Sequence, residues 1–150
     1  MNPLSLLIPI FTFAVTTEPF NPHLLNKIEG EWSVVAQNHI DNKTCYFVNI
    51  TQENNEVYWK EDYQLKNQTV FYQEKILSKN LQTFFSKDKT YQIIFNSYFK
   101  DFIVINKNSE LLVLSRNFHL TYDEYFYLGV VLNLVSNENI YFVNNNFNFC

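Results

Sequence analysis

Gly30-Glu31-Trp32-Ser33-Val34-Val35-Ala36-Gln37-Asn38 is the first of a series of short apolar runs, and Leu112-Val113-Leu114-Ser115-Arg116-Asn117 ends it. A lone Gly-x-Trp is a weak signal, because three residues with one free position recur by chance. Trp32 alone fits an ordinary core aromatic, and Arg116 alone an ordinary surface charge. Between them, apolar residues recur at period two, broken by short Asn-, Lys- and Asp-rich stretches. This pattern predicts strands at 30–38, 44–52, 56–65, 68–78, 81–86, 90–96, 99–107 and 110–117. The breaks at Glu53-Asn54-Asn55, Lys66-Asn67, Lys87-Asp88-Lys89 and Lys107-Asn108-Ser109 are of hairpin length, so the strands can form one closed antiparallel sheet. With only 2 glycines in the chain, Asn must supply the left-handed turn conformations. A Trp that enters such a barrel on its first strand needs a cover. An Arg on the last strand can stack on the indole and donate to nearby carbonyls. Gly30, Trp32 and Arg116 are therefore expected to form a structural plug.

After Arg116 the pattern changes. Thr121-Tyr122-Asp123-Glu124 is a capping box that opens a helix running to about Val135, with Phe126, Val130 and Leu134 at helical spacing. Gly129 and the β-branched residues lower its intrinsic propensity, so the helix is expected to form against the barrel wall. Ile93-Ile94-Phe95, Phe102-Ile103-Val104-Ile105 and Leu111-Leu112-Val113-Leu114 are apolar on both faces and supply that wall. A last short strand at 140–143 is expected to pair beside the first. The fold class expected is all-β: an eight-stranded antiparallel up-and-down β-barrel with one C-terminal α-helix packed on the outside.

At 150 residues the chain fits one domain with a substantial core, and its 47% apolar, 17% charged composition is that of a globular chain. The net charge of −4, without a Lys/Arg cluster, argues against nucleic acid as a partner and against an electrostatic membrane anchor. Residues 4–15 are apolar, uncharged and too few to span a bilayer, and small residues follow them. That is the shape of a secretory signal over 1–17, leaving a barrel domain over 18–150 and a secreted protein. A buried first strand or helix is the competing reading, and Pro3, Pro9 and Thr16-Thr17-Glu18-Pro19 oppose it. The 2 cysteines, Cys45 and Cys150, are most simply used as one long-range disulfide. Asn42, Asn49 and Asn67 each begin an Asn-x-Thr glycosylation sequon.

The order of signal, Gly-x-Trp, eight strands, Arg, helix and final strand resembles the lipocalin family, with its nearest likeness in the apolipoprotein D-like branch. In that branch a Cys opens the second strand and pairs with one near the C-terminus, where Cys45 and Cys150 stand. Tyr91-Gln92-Ile93-Ile94-Phe95-Asn96-Ser97-Tyr98 looks like the family's second motif region, keeping the Tyr of Thr-Asp-Tyr. Leu112-Val113-Leu114-Ser115-Arg116-Asn117 looks like the third. Ser33 stands where an aromatic often follows the Trp. The resemblance covers the whole mature chain and implies a carrier for one small hydrophobic molecule: a lipid, fatty acid, sterol, retinoid or pigment.

Alternation then assigns the cavity. If Cys45 points out toward a C-terminal segment, Phe47, Asn49 and Thr51 point out too, and Tyr46, Val48 and Ile50 point in. An outward Asn49 suits a sequon. Val57, Trp59, Glu61 and Tyr63 share the inward face of the next strand, with Glu61 as a polar anchor for a ligand's hydroxyl or amine, or as a rim carboxylate in water. Leu112 and Leu114 share parity with Arg116. Ile93, Phe95, Phe102 and Val104 complete the expected ligand-binding set. These aromatics could equally fill the barrel and leave the outer loops to act in protein interaction or defence.

No catalytic constellation is legible. His23, His39 and His119 lack metal-ligand spacing, adjacent Glu61 and Asp62 point to opposite faces, and the two glycines cannot make a phosphate loop. No cofactor or metal is expected. A lipocalin-like isomerase or de-epoxidase would need a titratable residue with a perturbed pKa deep in the pocket. A receptor or a homodimer is left open by the sequence.

Overall fold

Asn21-Pro22 opens an element that a period-two reading passes over. The computed structural model describes residues 19–97, 101–117, 120–135, 139–145 and 150, with Ser97, Leu134 and Val135 described as backbone. The signal expected over 1–17, Tyr98, His119 and the start of the strand expected at 99 lie outside these residues. Helix α1 (Pro22–Ile28) is capped by the Asn21 side-chain oxygen, which accepts from the amides of His23 and Leu24 at 2.9 and 3.2 Å. Pro22 at its first position gives up an amide that has no helical partner anyway.

Among the described residues nine strands follow: β1 (Gly30–Gln37), β2 (Thr44–Glu53), β3 (Glu56–Leu65), β4 (Gln68–Ser78), β5 (Thr83–Phe85), β6 (Thr90–Ser97), β7 (Phe102–Lys107), β8 (Glu110–Ser115) and the short β9 (Tyr141–Phe142). Each of β2 to β7 pairs antiparallel with the next, and β1 pairs with both β8 and β2, which closes an eight-stranded up-and-down barrel. Three hairpins turn on two residues with positive φ at both: Asn54 and Asn55 (52° and 65°), Lys66 and Asn67 (52° and 63°), Asn108 and Ser109 (48° and 73°). That is the φ signature of the turns whose twist matches antiparallel strands, and here Asn largely replaces glycine.

Closure leaves a seam. β1 pairs with β2 only over Gly30–Ser33, and with β8 from Ser33 to Gln37 across a bulge between Val34 and Ala36. Where β2 diverges, it carries its own irregularity between Thr44 and Phe47, with Cys45 at φ 49°. The C-terminal segment fills the gap. β9 pairs with Ala36 and Gln37, the Val143 amide donates to the Val35 carbonyl at 2.9 Å, and the Cys45 amide to the Asn144 carbonyl at 3.0 Å. The buried Asn145 side chain bridges both strands, accepting from the Tyr46 amide at 2.8 Å and donating to the Val34 carbonyl at 2.7 Å. The Cys45–Cys150 disulfide then ties the chain end to β2, as expected.

Helix α2 (Tyr122–Val135) begins at the expected capping box: the Thr121 amide donates to Glu124 Oε1 at 3.1 Å and the Glu124 amide to Thr121 Oγ1 at 3.2 Å. Its packing face differs from the expected one. Glu124 is buried and accepts from Asn117 Nδ2 at 3.4 Å, which fixes the rotation of the helix, and Leu128, Val131 and Leu132 follow on the same face. Phe126 and Val130 are turned out to solvent, and the Leu134 side chain lies outside the described residues. Tyr125 packs edge-on to Phe142 of β9 at 5.0 Å.

Replacing Asn145 by Leu keeps the branched shape but orphans the Tyr46 amide and the Val34 carbonyl. At about 1–3 kcal/mol for each buried group left unsatisfied, a loss of about 2–4 kcal/mol in urea unfolding is expected. A loss under about 0.5 kcal/mol, the size of an ordinary surface change, would mean the seam holds without this bridge.

Candidate functional site

One end of the barrel is covered, and the cover is built on Gly30. Its φ of +104° suits glycine, and a Cβ there would stand 2.9 Å from Arg116 Nη1. The space admits the Arg116 guanidinium, which lies 3.6 Å from the Trp32 ring centroid and donates to the carbonyls of Glu31 (3.1 Å) and Glu29 (2.7 Å). The Trp32 indole donates to the Ile28 carbonyl at 2.8 Å, so α1 is held across this end. The Asn21 amide anchors the start of α1 to Ser78 Oγ at the end of β4, at 2.8 Å. Phe20, Leu24, Leu25 and Ile28 then join Ile50, Val57 and Ile76 in a dry floor. Gly30, Trp32 and Arg116, the residues read from the sequence as a plug, lie in contact here, and α1 adds a layer over them that the sequence reading did not include.

Above the floor stand three stacked aromatics. Phe84 and Tyr91 are nearly parallel at 4.7 Å, and Trp59 lies 4.7 Å from Tyr91. The Trp59 indole nitrogen is buried and has no hydrogen-bond partner among the described residues. Buried donors are almost always paired, so an orphan here is a specific feature of the interior.

Toward the opposite end the interior turns polar. Glu61 is buried, accepts from the Tyr46 hydroxyl and pairs with Lys107 Nζ at 3.3 Å. Glu74 accepts from the hydroxyls of Tyr91 and Tyr72, the latter at 2.6 Å, and Lys89 donates to Tyr72 at 2.8 Å. Burial, and then the Glu61 charge, push the Tyr46 hydroxyl far above the ordinary tyrosine range, so it stays protonated and a donor. Burial and the Glu74 hydrogen bond raise Tyr72 as well. Burial opposes the charge on Lys89, but the Tyr72 hydroxyl and the Glu74 charge outweigh it, and its pKa is raised. Lys43 stands over the Tyr46 and Tyr63 rings at 4.9 and 4.4 Å. Its partner Asp41 receives the Lys43 amide at 3.1 Å and the Gln37 amide nitrogen at 2.8 Å.

Of the residues expected to line a cavity, Tyr46, Val48, Ile50, Val57, Trp59, Glu61, Ile93, Leu112 and Leu114 are inside, and Tyr63 packs against them half-buried. Phe95, Phe102 and Val104 are not. They pack on the outside against Leu128, Val131 and Leu132 of α2. In β6 a bulge between Ile93 and Phe95 shifts the alternation, so Ile93 points in and Phe95 out. In β7 the inward pair is Ile103 and Ile105, and the apolar character of Phe102 and Val104 serves the helix. Tyr72, Glu74, Ile76, Phe84, Lys89 and Lys107 were missed. The Lys66–Asn67 turn could have found Glu74, because a two-residue turn sets Trp59 opposite Glu74, and paired residues share a face. Among the described residues no group of three or more His, Cys, Asp or Glu could hold a metal ion.

Glu61→Leu leaves the Lys107 ammonium buried without its partner and is expected to cost about 3–5 kcal/mol in urea unfolding, whereas Glu61→Leu with Lys107→Met should be neutral or stabilising. A single change as mild as the double would show that Lys107 finds water. The Asp41 carboxyl gives a pH signature. Burial alone would raise it; the Lys43 amide, Gln37, and the Lys43 and His39 charges outweigh that and hold it below its ordinary value. A depressed folded pKa stabilises above the unfolded value of about 3.9 and is lost as pH falls through the folded one. Asp41→Asn should therefore be less stable than the parent at pH 7, with the gap closing below about pH 4 in parallel unfolding curves.

No protein-family model and no curated protein matches this chain by sequence. Solved structures do match it. Insecticyanin from the tobacco hornworm Manduca sexta superposes with a TM-score of 0.69 at 9% identity, covering 89% of this chain and 87% of that one. The cockroach allergen Per a 4 gives 0.68 at 12% identity over 85% and 92%, and the siderocalin Ex-FABP 0.63 at 11% over 79% and 94%. At such identities the likeness is one of architecture, and it agrees with the strand order, closure and helix position described above. This chain has the lipocalin fold.

Proposed function

We propose that the chain is a secreted, glycosylated member of the lipocalin family, close to its apolipoprotein D-like branch, that carries one small and mostly hydrophobic molecule with a polar end. A lipid, fatty acid, sterol, retinoid or pigment fits that description. The observation that carries the reading is the polar belt inside the barrel, with the unpartnered Trp59 N–H just below it. An ion pair such as Glu61–Lys107 seldom stabilises a core more than apolar residues of the same volume would. A barrel built for stability alone has no use for two carboxylates, two ammonium groups and an orphan donor. A few convergent polar groups above an aromatic floor are what orients a ligand whose affinity comes from apolar burial. Two of the similar structures are siderocalins, Ex-FABP and Q83, described by dual ligand specificities and a dual ligand binding mode. The disulfide, a signal over 1–17 and sequons at Asn42, Asn49 and Asn67 agree with an extracellular protein.

A second reading rests on the near-zero exposure of Trp59, Phe84 and Tyr91: a filled barrel that acts through its outer surface in protein interaction or defence. An isomerase or de-epoxidase is less well supported, because the buried Tyr46 hydroxyl is shifted toward staying protonated, which disfavours it as a base.

Titration with fatty-acid and retinoid probes separates the first two. Binding should quench or shift the emission of the parent, and Trp59→Phe, which keeps Trp32, should lose that response. Unchanged emission at saturating probe, with nothing recovered in organic extracts of the purified protein, favours the filled barrel.

A further inference from the structure

The outer face of the first four strands holds a groove of about 560 Å³, lined mostly by outward-facing residues and reaching the plug at Trp32 and Arg116. Strand pairing lays its side chains out in two rows. One row runs Ser33, Phe47, Asp62, Phe71 across β1, β2, β3 and β4, and the next runs Glu31, Asn49, Lys60, Gln73. Arg116 closes one end. Phe71 is 75% exposed, and in its row the Asp62 position separates it from the half-buried Phe47. Aromatic rings ringed by carboxylate, amide and ammonium groups match the two-sided chemistry of a sugar. A pyranose presents one face of C–H groups to a ring and hydroxyls around its edge.

Asn49 stands inside this groove and begins Asn49-Ile50-Thr51. Period two puts Phe47, Asn49 and Thr51 on the same outer face, so the ring two residues before the asparagine lies beside it. Among the described residues the Asn49 side chain makes no hydrogen bond. The two other sequons differ. Asn42 is an exposed loop residue at φ 61° and Asn67 an exposed turn residue at φ 63°, and neither lines the groove.

We propose that Asn49 carries an N-linked glycan whose first sugar lies in this groove, its apolar face toward the exposed Phe71 ring and its polar edge toward Lys60, Asp62 and Gln73. The occupant is covalently delivered to the groove, and it covers the aromatic ring the fold leaves bare. The inference rests on the secreted reading above.

The test expresses the full chain, with its own N-terminus, in a eukaryotic secretory host, beside Thr51→Ala, Phe71→Ser and the double variant. Peptide mapping should find a glycan on Asn49 of the parent and none with Thr51→Ala. After trimming to a single N-acetylglucosamine, proton NMR should show the sugar's ring or acetyl protons shifted upfield by the Phe71 ring, and Phe71→Ser should abolish that shift. In urea unfolding, Phe71→Ser should lower the midpoint of the glycosylated protein and leave the Thr51→Ala protein unchanged, a coupling read from the cycle. Phe71 is exposed, so its replacement is not expected to block folding. A secreted chain with Asn42 or Asn67 occupied and Asn49 bare overturns the proposal and leaves secretion standing. An occupied Asn49 with no upfield shift and no coupling overturns the groove contact. A chain that never enters the secretory pathway overturns the secreted reading, and the proposal with it.

Discussion

β1 is paired along both of its edges, and the rest of the molecule is arranged around that closure. An open eight-stranded sheet would leave two rows of unpaired amides and carbonyls, and closing it removes them. Closure tilts the strands, so β1 cannot keep β2 and β8 along its whole length. It hands over at Ser33, and the edge it vacates is taken by β9 and by the side chain of Asn145. The disulfide holds that wedge from the far side of the seam. The same geometry leaves the start of β1 at the rim, where Trp32 would face water without Arg116, and Arg116 would lack room without Gly30. The glycine, the indole and the guanidinium are thus one device that defines the fold rather than the function.

Most of this architecture was legible because hairpins with two-residue turns leave little freedom. Once Asn54-Asn55, Lys66-Asn67 and Asn108-Ser109 are read as turns, strand lengths and registers follow from counting. Bulges break the counting. The irregularity between Ile93 and Phe95 reverses the faces of β6, and a bulge has no mark in a run such as Ile93-Ile94-Phe95 where every residue is apolar. β7 shows the complementary limit. Its two faces are equally hydrophobic because one meets the core and the other meets α2, so alternation carries no direction there. On α2 the capping box located the helix correctly, yet rotation about its axis is set by Glu124 reaching Asn117, a contact between elements that spacing does not encode.

The candidate site divides in the same way. Trp59 and Glu61 were placed by local alternation, and Tyr46 by alternation counted from an outward Cys45. Their partners come from strands whose faces the turns and closure decide: Lys107 at the end of β7, Glu74 across the β3–β4 turn, and Lys89 before β6. A buried carboxylate is readable from one strand, whereas the cation that neutralises it arrives from another.

The β2–β3 hairpin therefore carries two chemistries on its two faces. Tyr46, Trp59 and Glu61 give the inner face aromatic rings and a paired charge, while Phe47, Asn49, Lys60 and Asp62 give the outer face a groove in solvent. A slip of one residue in either strand would exchange them, taking Lys60 and Asp62 into the core and Trp59 into water. The penalty for that exchange pins the register more firmly than the turn alone can. It also explains how Asn54 and Asn55 can hold left-handed conformations without glycine: the strands on either side leave the turn no other way to close.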